Sequence, residues 1–286
     1  MCGRFVKNHQ NISGFLLLLA TLYNPLANAD VEFTLGIVPQ YDSREIAAIW
    51  DPLIHKIEQE TGIRLKLVGS PSIPDFEESF GKGKFDFAYM NPYHALVAHR
   101  KQKYKPILRD IGRKLYGVIV VRKDSTIKNI RDLHEKKIAF PSPNALGASL
   151  IPRAEFSVKY NIDVNPLYVK SHDSVYLNVL LGQTDAGGGV QKTFNKQSSR
   201  VKNQLRVLYK TGEVSPHPIV AHPRVGKDIV GKVTDAFLKI GRSDEGKKLL
   251  NKIPIKIIGP AGLKDYLELE EMGLTDFYVE NKSDNL

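Results

Sequence analysis

An α/β protein built as two similar lobes is what the chain predicts, on three observations. Short apolar strands alternate with amphipathic helices along most of its length, the order that builds doubly wound sheets flanked by helices. A phrase spaced G-x-x-D-x-[AG] occurs twice, as Gly83-Lys84-Phe85-Asp86-Phe87-Ala88 and as Gly182-Gln183-Thr184-Asp185-Ala186-Gly187, each time after a helix and before a loop that opens another. Two extended stretches, Tyr116–Val121 and Ile219–His222, join one set of elements to the next without a tight turn and so suit crossovers between lobes.

Taken in order, Phe33–Val38 reads as a strand. Ile46, Ile49, Trp50, Leu53, Ile54 and Ile57 share a helical face that ends at Thr61-Gly62. Arg64–Val68 alternates as a strand, Phe76–Phe80 is a short helix, Phe85–Tyr89 a strand and Pro92–Arg100 a helix with Asn91 as its N-cap. The second set opens with a strand at Leu115–Val121, followed by a short helix near Ile130–Leu133 and a strand at Ile138–Phe140. Further strands are expected near Pro166–Lys170 and at Asp185–Gly187, with a helix over Ser174–Leu181 between them. Leu205–Tyr209 and Pro218–Ala221 read as strands, and Ile229–Ile240 and Asp244–Leu250 as helices. On this pattern residues 30–117 and 218–286 form the first lobe and residues 118–217 the second.

The first residues read as an export signal. Arg4 and Lys7 precede an apolar run from Ile12 to Tyr23, and Pro25 leads to Ala27-Asn28-Ala29, an A-x-A cleavage site. The run is short for a bilayer span. Removal of residues 1–29 leaves Asp30 as the mature start and takes away Cys2, the single cysteine. A thiol nucleophile, a disulfide and a cysteine metal site are thereby excluded from the mature chain. The net charge of +10 falls by the two basic residues of the leader to +8, an excess that favours small anions. The basic residues are scattered rather than set in a stripe with aromatics, which argues against nucleic acid.

The stretch from Lys137 to Leu150 carries the most chemistry. An apolar strand breaks at Pro141 and Pro143. A helix restarts near Ala145, capped by Asn144, running through Leu150, Ala154 and Phe156 with a kink at Pro152. Its first turn holds only small or apolar side chains, so unpaired backbone N–H groups would face out of a strand end. Such a place favours an anion, although an ordinary strand-to-helix corner has the same look. No nucleophile elbow, H-E-x-x-H, P-loop or EF-hand pattern occurs, and no catalytic set or cofactor is indicated.

These features together resemble a known family, the periplasmic substrate-binding proteins of the phosphate/phosphite/phosphonate ABC transporter group. The resemblance runs from Phe33 to about Ile257. It rests on Gly36-Ile37-Val38-Pro39-Gln40, Trp50-Asp51-Pro52-Leu53, Phe85-Asp86-Phe87-Ala88-Tyr89, Val118–Ser125, Pro141-Ser142-Pro143-Asn144, His172 and His217–Arg224. It implies the two-lobed type II binding-protein fold, no enzymatic activity, a periplasmic location and a monomer. The implied partner is an ABC permease or, by similarity to oxyanion sensors, the periplasmic domain of a sensor histidine kinase. The implied ligand is a small oxyanion related to phosphate, phosphite or phosphonate, or an arsenate-like or sulfur oxyanion. Phosphonate-binding members place hydroxyl residues where this chain has Ala145, Leu146 and Gly147. They hold an amine with carboxylates where it has Lys192 and His217. A purely anionic or neutral polar ligand is therefore expected. An enzyme on the same fold, such as a thiamine-precursor synthase, would carry a cysteine-rich segment absent here. A surface module without a pocket would show no ligand-dependent stabilisation.

The expected ligand residues are the backbone of Ala145, Leu146, Gly147 and Ala148, helped by Ser142 and Asn144, with His172 as a charge-assisted donor. Gln40 and Tyr41 follow the first strand, and Tyr89, Asn91 and Tyr93 surround the end of the third, as cleft floor or lobe packing. Asp42 would repel an anion and is read as a helix cap. Gln191 and Lys192 follow Gly187-Gly188-Gly189, a run that lets ligand or a packed helix approach. His217 lies between Pro216 and Pro218 in a rigid extended piece, as ligand donor or hinge residue. Intact-mass analysis of the exported protein is expected to give a chain beginning at Asp30. A product that retains Cys2 contradicts the cleavage site.

Overall fold

The structure is a computed structural model and describes residues 1–3 and 31–280. The predicted leader lies, beyond its first three residues, outside the described residues. The first elements are β1 (Glu32–Ile37), α1 (Ser43–Thr61), β2 (Arg64–Val68), α2 (Ile73–Gly81), β3 (Phe87–Tyr89), α3 (Pro92–Gln102) and β4 (Lys105–Asp110). The second group comprises β5 (Gly117–Arg122), β6 (Lys137–Phe140), a π-helical turn at Leu146–Leu150, α4 (Ile151–Tyr160), β7 (Asn165–Tyr168), α5 (His172–Leu180), β8 (Ala186–Val190), α6 (Gln191–Asn195), α7 (Ser199–Lys202) and β9 (Leu205–Lys210). The chain then returns through β10 (Ile219–Ala221), α8 (Lys227–Ile240), α9 (Asp244–Lys252) and β11 (Ile258–Pro260).

Two sheets result, in the orders β2-β1-β3-β10-β4-β11 and β7-β6-β8-β5-β9. Their plans coincide. In each, a parallel trio is followed by an antiparallel strand that has just arrived from the other sheet's segment: β10 beside β3, and β5 beside β8. The repeated phrase has one structural job in both. Asp86 accepts the backbone N–H of Thr34 at 2.8 Å, and Asp185 accepts that of Lys137 at 2.9 Å. Each carboxylate thus satisfies the first free donor of the neighbouring parallel strand, which would otherwise be left unpaired at the sheet margin. The two connections between lobes run side by side, and Leu115 and Val214 exchange N–H···O bonds of 2.9 Å across them.

Helix termini follow local chemistry. Asp42 caps α1 by accepting the Glu45 N–H at 2.9 Å, and Asn91 caps α3 by accepting that of His94 at 2.8 Å, as expected. Asn144 departs from its expected role. The turn that follows it has no side-chain cap. The Asn144 amide instead donates to Glu77 Oε2 at 3.0 Å and to the Val279 carbonyl at 2.8 Å, and accepts the Val279 N–H at 2.9 Å. A long-range pairing has displaced the local one. The predicted kink is also replaced. Pro152 lies in the first turn of α4, where its missing N–H costs little, and the irregularity takes the form of the π-helical turn before it.

The core of the first lobe is filled by the buried face of α1, with Trp50 packed on Tyr89 at 5.2 Å between ring centres. Full burial of side chains such as Leu53 and Ile57 contributes about 1.5–3 kcal/mol each. In the second lobe the glycine run of β8 resolves as packing. A Cβ at Gly187 would lie 2.6 Å from Val175, one at Gly189 2.0 Å from the Tyr176 hydroxyl, and one at Gly188 2.0 Å from the Ala148 carbonyl oxygen. Helix α5 and the π turn therefore sit directly on bare backbone. Gly188→Ala is expected to destabilise the protein by about 2–4 kcal/mol through overpacking. Gly231→Ala, in α8 with nothing within 4 Å of its added Cβ, is expected to stabilise it by about 0.5–1 kcal/mol. Urea unfolding of the two variants checks both signs, and a tolerated Gly188→Ala contradicts the packing described.

Candidate binding site between the lobes

The end of β6 and the π turn bring a short piece of backbone to the interlobe face. The N–H groups of Leu146, Gly147 and Ala148 have no acceptor among the described residues, whereas Ser149 and Leu150 both donate to the Ala145 carbonyl. This is the ordinary consequence of starting a helix without a capping side chain. The turn is pressed into place by close backbone approach: the Gly147 carbonyl oxygen would lie 1.8 Å from a Cβ at Gly117 on β5.

Facing this turn are Gln40, Asn91, His172 and His217. With Ala145–Ala148 they line a recess of only about 20 Å³ that contains no carboxylate among its lining residues. His172 stands at the first position of α5, capped by Ser171, rather than in a loop before a helix. Its Nδ1 lies 3.3 Å from Thr193 Oγ1, which leaves Nε2 as the ring atom free to meet a ligand. Burial drives its pKa down to about 4, against a weaker upward pull from Asp173. Burial by itself thus favours a neutral ring over the imidazolium that a charge-assisted donor would need. His217 is also neutral. Burial is the main cause, with His94, His172 and Lys192 adding to it, and its pKa falls to about 3. The ring stacks on Tyr89 at 5.3 Å, and Gln40 Nε2 lies 3.0 Å from its Nε2. With the Gln40 amide as donor, the proton of the neutral ring sits on Nδ1.

A larger cleft of about 430 Å³ adjoins the recess and shares Gln40, Val190 and His217 with it. Tyr41, Tyr89, Gln191 and Lys192 line this second space. Lys192 is half-buried and its Nζ donates to the Lys252 carbonyl at 2.9 Å. Burial first, and then the neighbouring Arg113, lower its pKa to about 7. The cleft group that titrates near neutrality is thus a lysine rather than His172. Arg113 and Thr193 also line the cleft and were not singled out in the sequence. Arg113 gave no signal as one more charge in a basic stretch. Thr193 was findable as a hydroxyl three residues beyond the end of β8.

Three expected site residues fall outside both linings. Tyr93 is buried, with its hydroxyl 3.1 Å from Thr275 Oγ1 and its ring against Tyr278. Asn144 is engaged with Glu77 and Val279. Ser142 is buried, and its hydroxyl has no partner among the described residues.

The lobes are in contact around this site. Asn91 Nδ2 donates to the Asn144 carbonyl at 3.2 Å, and Lys196 pairs with Glu45 while its ammonium lies 4.0 Å from the Tyr41 ring centre. Two α/β lobes joined by paired strands and closed over a buried recess define a two-lobed binding protein. The family described as the periplasmic substrate-binding protein of a phosphonate ABC transporter matches residues 35–266, and the chain belongs to it. It is a periplasmic substrate-binding protein and not an enzyme.

The chain is 26% identical over 226 residues to the phosphate-import protein PhnD of Mycolicibacterium smegmatis, covering 71% of this chain and 70% of that one. It is 23% identical over 251 residues to the phosphonates-binding periplasmic protein of Escherichia coli, covering 82% and 74%. Among solved structures, a binding-protein component of an ABC phosphonate transporter from Pseudomonas aeruginosa superposes with a TM-score of 0.76 at 19% identity, over 85% of each chain. PhnD1 from Prochlorococcus marinus in complex with methylphosphonate gives 0.75 at 18% identity, over 85% and 97%. At these identities the structural likeness carries the fold.

Both histidines have folded pKa values below the roughly 6.5 of an unfolded ring. The unfolded chain therefore binds more protons between about pH 4 and 6.5, so folding stability is complete above 6.5 and declines as pH falls toward the folded values. The loss is on the order of 3 kcal/mol per ring. Denaturant unfolding at pH 7 and pH 4.5 should show a smaller loss in His172→Gln/His217→Gln than in the parent. Equal losses would place the acid sensitivity elsewhere.

Proposed function

We propose that this protein captures a small phosphorus oxyanion, phosphate, phosphite or an alkylphosphonate, in the recess between its lobes and delivers it to an ABC permease, with residues 1–29 directing export. The observation that carries this reading is a recess that sets unpaired peptide donors in a lining without a carboxylate. Three peptide N–H groups without acceptors face buried neutral side chains, and no carboxylate is among the lining residues. Unpaired donors in a dry setting favour an anion strongly, because each is otherwise desolvated without return. The N–H groups of Leu146, Gly147 and Ala148 take two or three ligand oxygens, and because the Thr193 hydroxyl donates to the Val190 carbonyl and so leaves the His172 proton on Nδ1, His172 Nε2 accepts from a protonated ligand oxygen. Asn91 and Gln40 hold the lobes in register around them.

The family assignment supports the transporter as partner, and the names of the relatives support phosphorus over arsenic or sulfur. The recess is small enough in its present form that the lobes part to admit a tetrahedral group. Contacts from both lobes then exist only in the closed state, so binding shifts the equilibrium toward closure. A ligand with a cationic amine is disfavoured, since neither His217 nor Lys192 supplies the negative charge that would hold it.

Titration calorimetry is expected to show phosphate, phosphite or methylphosphonate binding, with 2-aminoethylphosphonate weaker than all that bind. A ligand present at one hundred times its dissociation constant should add about 2.7 kcal/mol to stability. His172→Ala should weaken binding by about 1.5–3 kcal/mol, the usual worth of a hydrogen bond to a charged group. Tighter binding of 2-aminoethylphosphonate than of methylphosphonate, or full affinity in His172→Ala, contradicts the site as drawn.

A further inference from the structure

The cleft beside the recess is far larger than a phosphate group requires. Its residues divide by chemistry. Tyr41, Tyr89, Leu115, Tyr116 and Ile255 give it apolar walls, and Lys192, Arg113 and the exposed Lys114 bring three cations. The carboxylate that faces them is already engaged. Asp110 accepts N–H bonds from Gly112 at 2.8 Å, Lys256 at 2.7 Å and Ile257 at 3.0 Å, and pairs with Arg113 Nε at 2.9 Å. Glu213 is exposed at the margin. The Lys192 ammonium has three donors, and the structure gives it one acceptor, the Lys252 carbonyl.

A half-buried ammonium with so few acceptors, set beside a guanidinium, is an unfavourable arrangement on its own. It becomes favourable when an anion arrives. Building on the oxyanion reading above, we infer that the cleft holds the organic substituent of the ligand, and that this substituent ends in a carboxylate bound by Lys192 and Arg113. The ligand class is then a phosphonocarboxylate with a short aliphatic spacer. Its phosphonate occupies the recess, its methylenes pass Gln40 and His217, and its carboxylate reaches Lys192 and Arg113. The tyrosines and Ile255 cover the spacer. The lowered pKa of Lys192, caused first by burial and then by Arg113, is in keeping with this placement.

The test compares matched pairs that differ only in the terminal group: phosphonoacetate with ethylphosphonate, 3-phosphonopropionate with propylphosphonate, and 4-phosphonobutyrate with butylphosphonate. Methylphosphonate serves as reference. Calorimetry on the purified protein should show at least one acid binding about tenfold or more tightly than its alkyl partner, which is what one charged hydrogen bond supplies. In Lys192→Met and Lys192→Gln that ratio should fall toward one. Because each ratio is taken within a single variant, a general weakening of the site cancels. If methylphosphonate binds while every acid matches its alkyl partner, the substituent site is wrong and the oxyanion reading stands. If an acid keeps its advantage in both Lys192 variants, the carboxylate partner is misassigned. If no phosphorus ligand binds at all, both readings fall.

Discussion

The approach of the 146–150 turn to the bare backbones of β5 and β8 is the constraint on which the site depends. Gly117 and Gly188 leave room for the carbonyl oxygens of Gly147 and Ala148, each of which would lie 2.0 Å or less from an added Cβ. The turn can therefore seat its carbonyls against the sheet and present its N–H groups to the cleft. Larger residues at either glycine would lift the turn and rotate its donors. The site is made by what the glycines omit, and no side chain in the turn is required to be polar.

This explains what the sequence reveals and what it hides. The lobes are legible because period, repeated phrase and crossover strands agree, and Asn91 and Asp42 are legible because capping is decided within three residues. Asn144 has the residue type of a cap, but its partner is Val279, 135 positions away, and no local rule reaches that far. Strand β4 escapes notice because its inward positions are Pro106, Leu108 and Asp110, of which one alone is an ordinary apolar strand residue. Asp110 is buried there because three backbone N–H groups need it. His172 can be singled out from the sequence but its charge state cannot, since the burial that lowers its pKa is a property of the assembled fold.

Neutral rings in a donor-lined recess also set a division of labour. The recess supplies geometry and fixed dipoles, which change little with pH near neutrality. Lys192, in the adjoining cleft, is the lining group whose pKa burial and Arg113 bring down to about 7.

The exchange of strands between sheets has a consequence in time as well as in space. Strand β10 lies inside the first sheet, between β3 and β4, yet it is made more than a hundred residues after β4. The first lobe therefore cannot complete its sheet until the second has been synthesised and the chain has come back through β10 and, at residue 260, β11. Loop closure on that scale slows folding and leaves β3 and β4 without their shared neighbour until late.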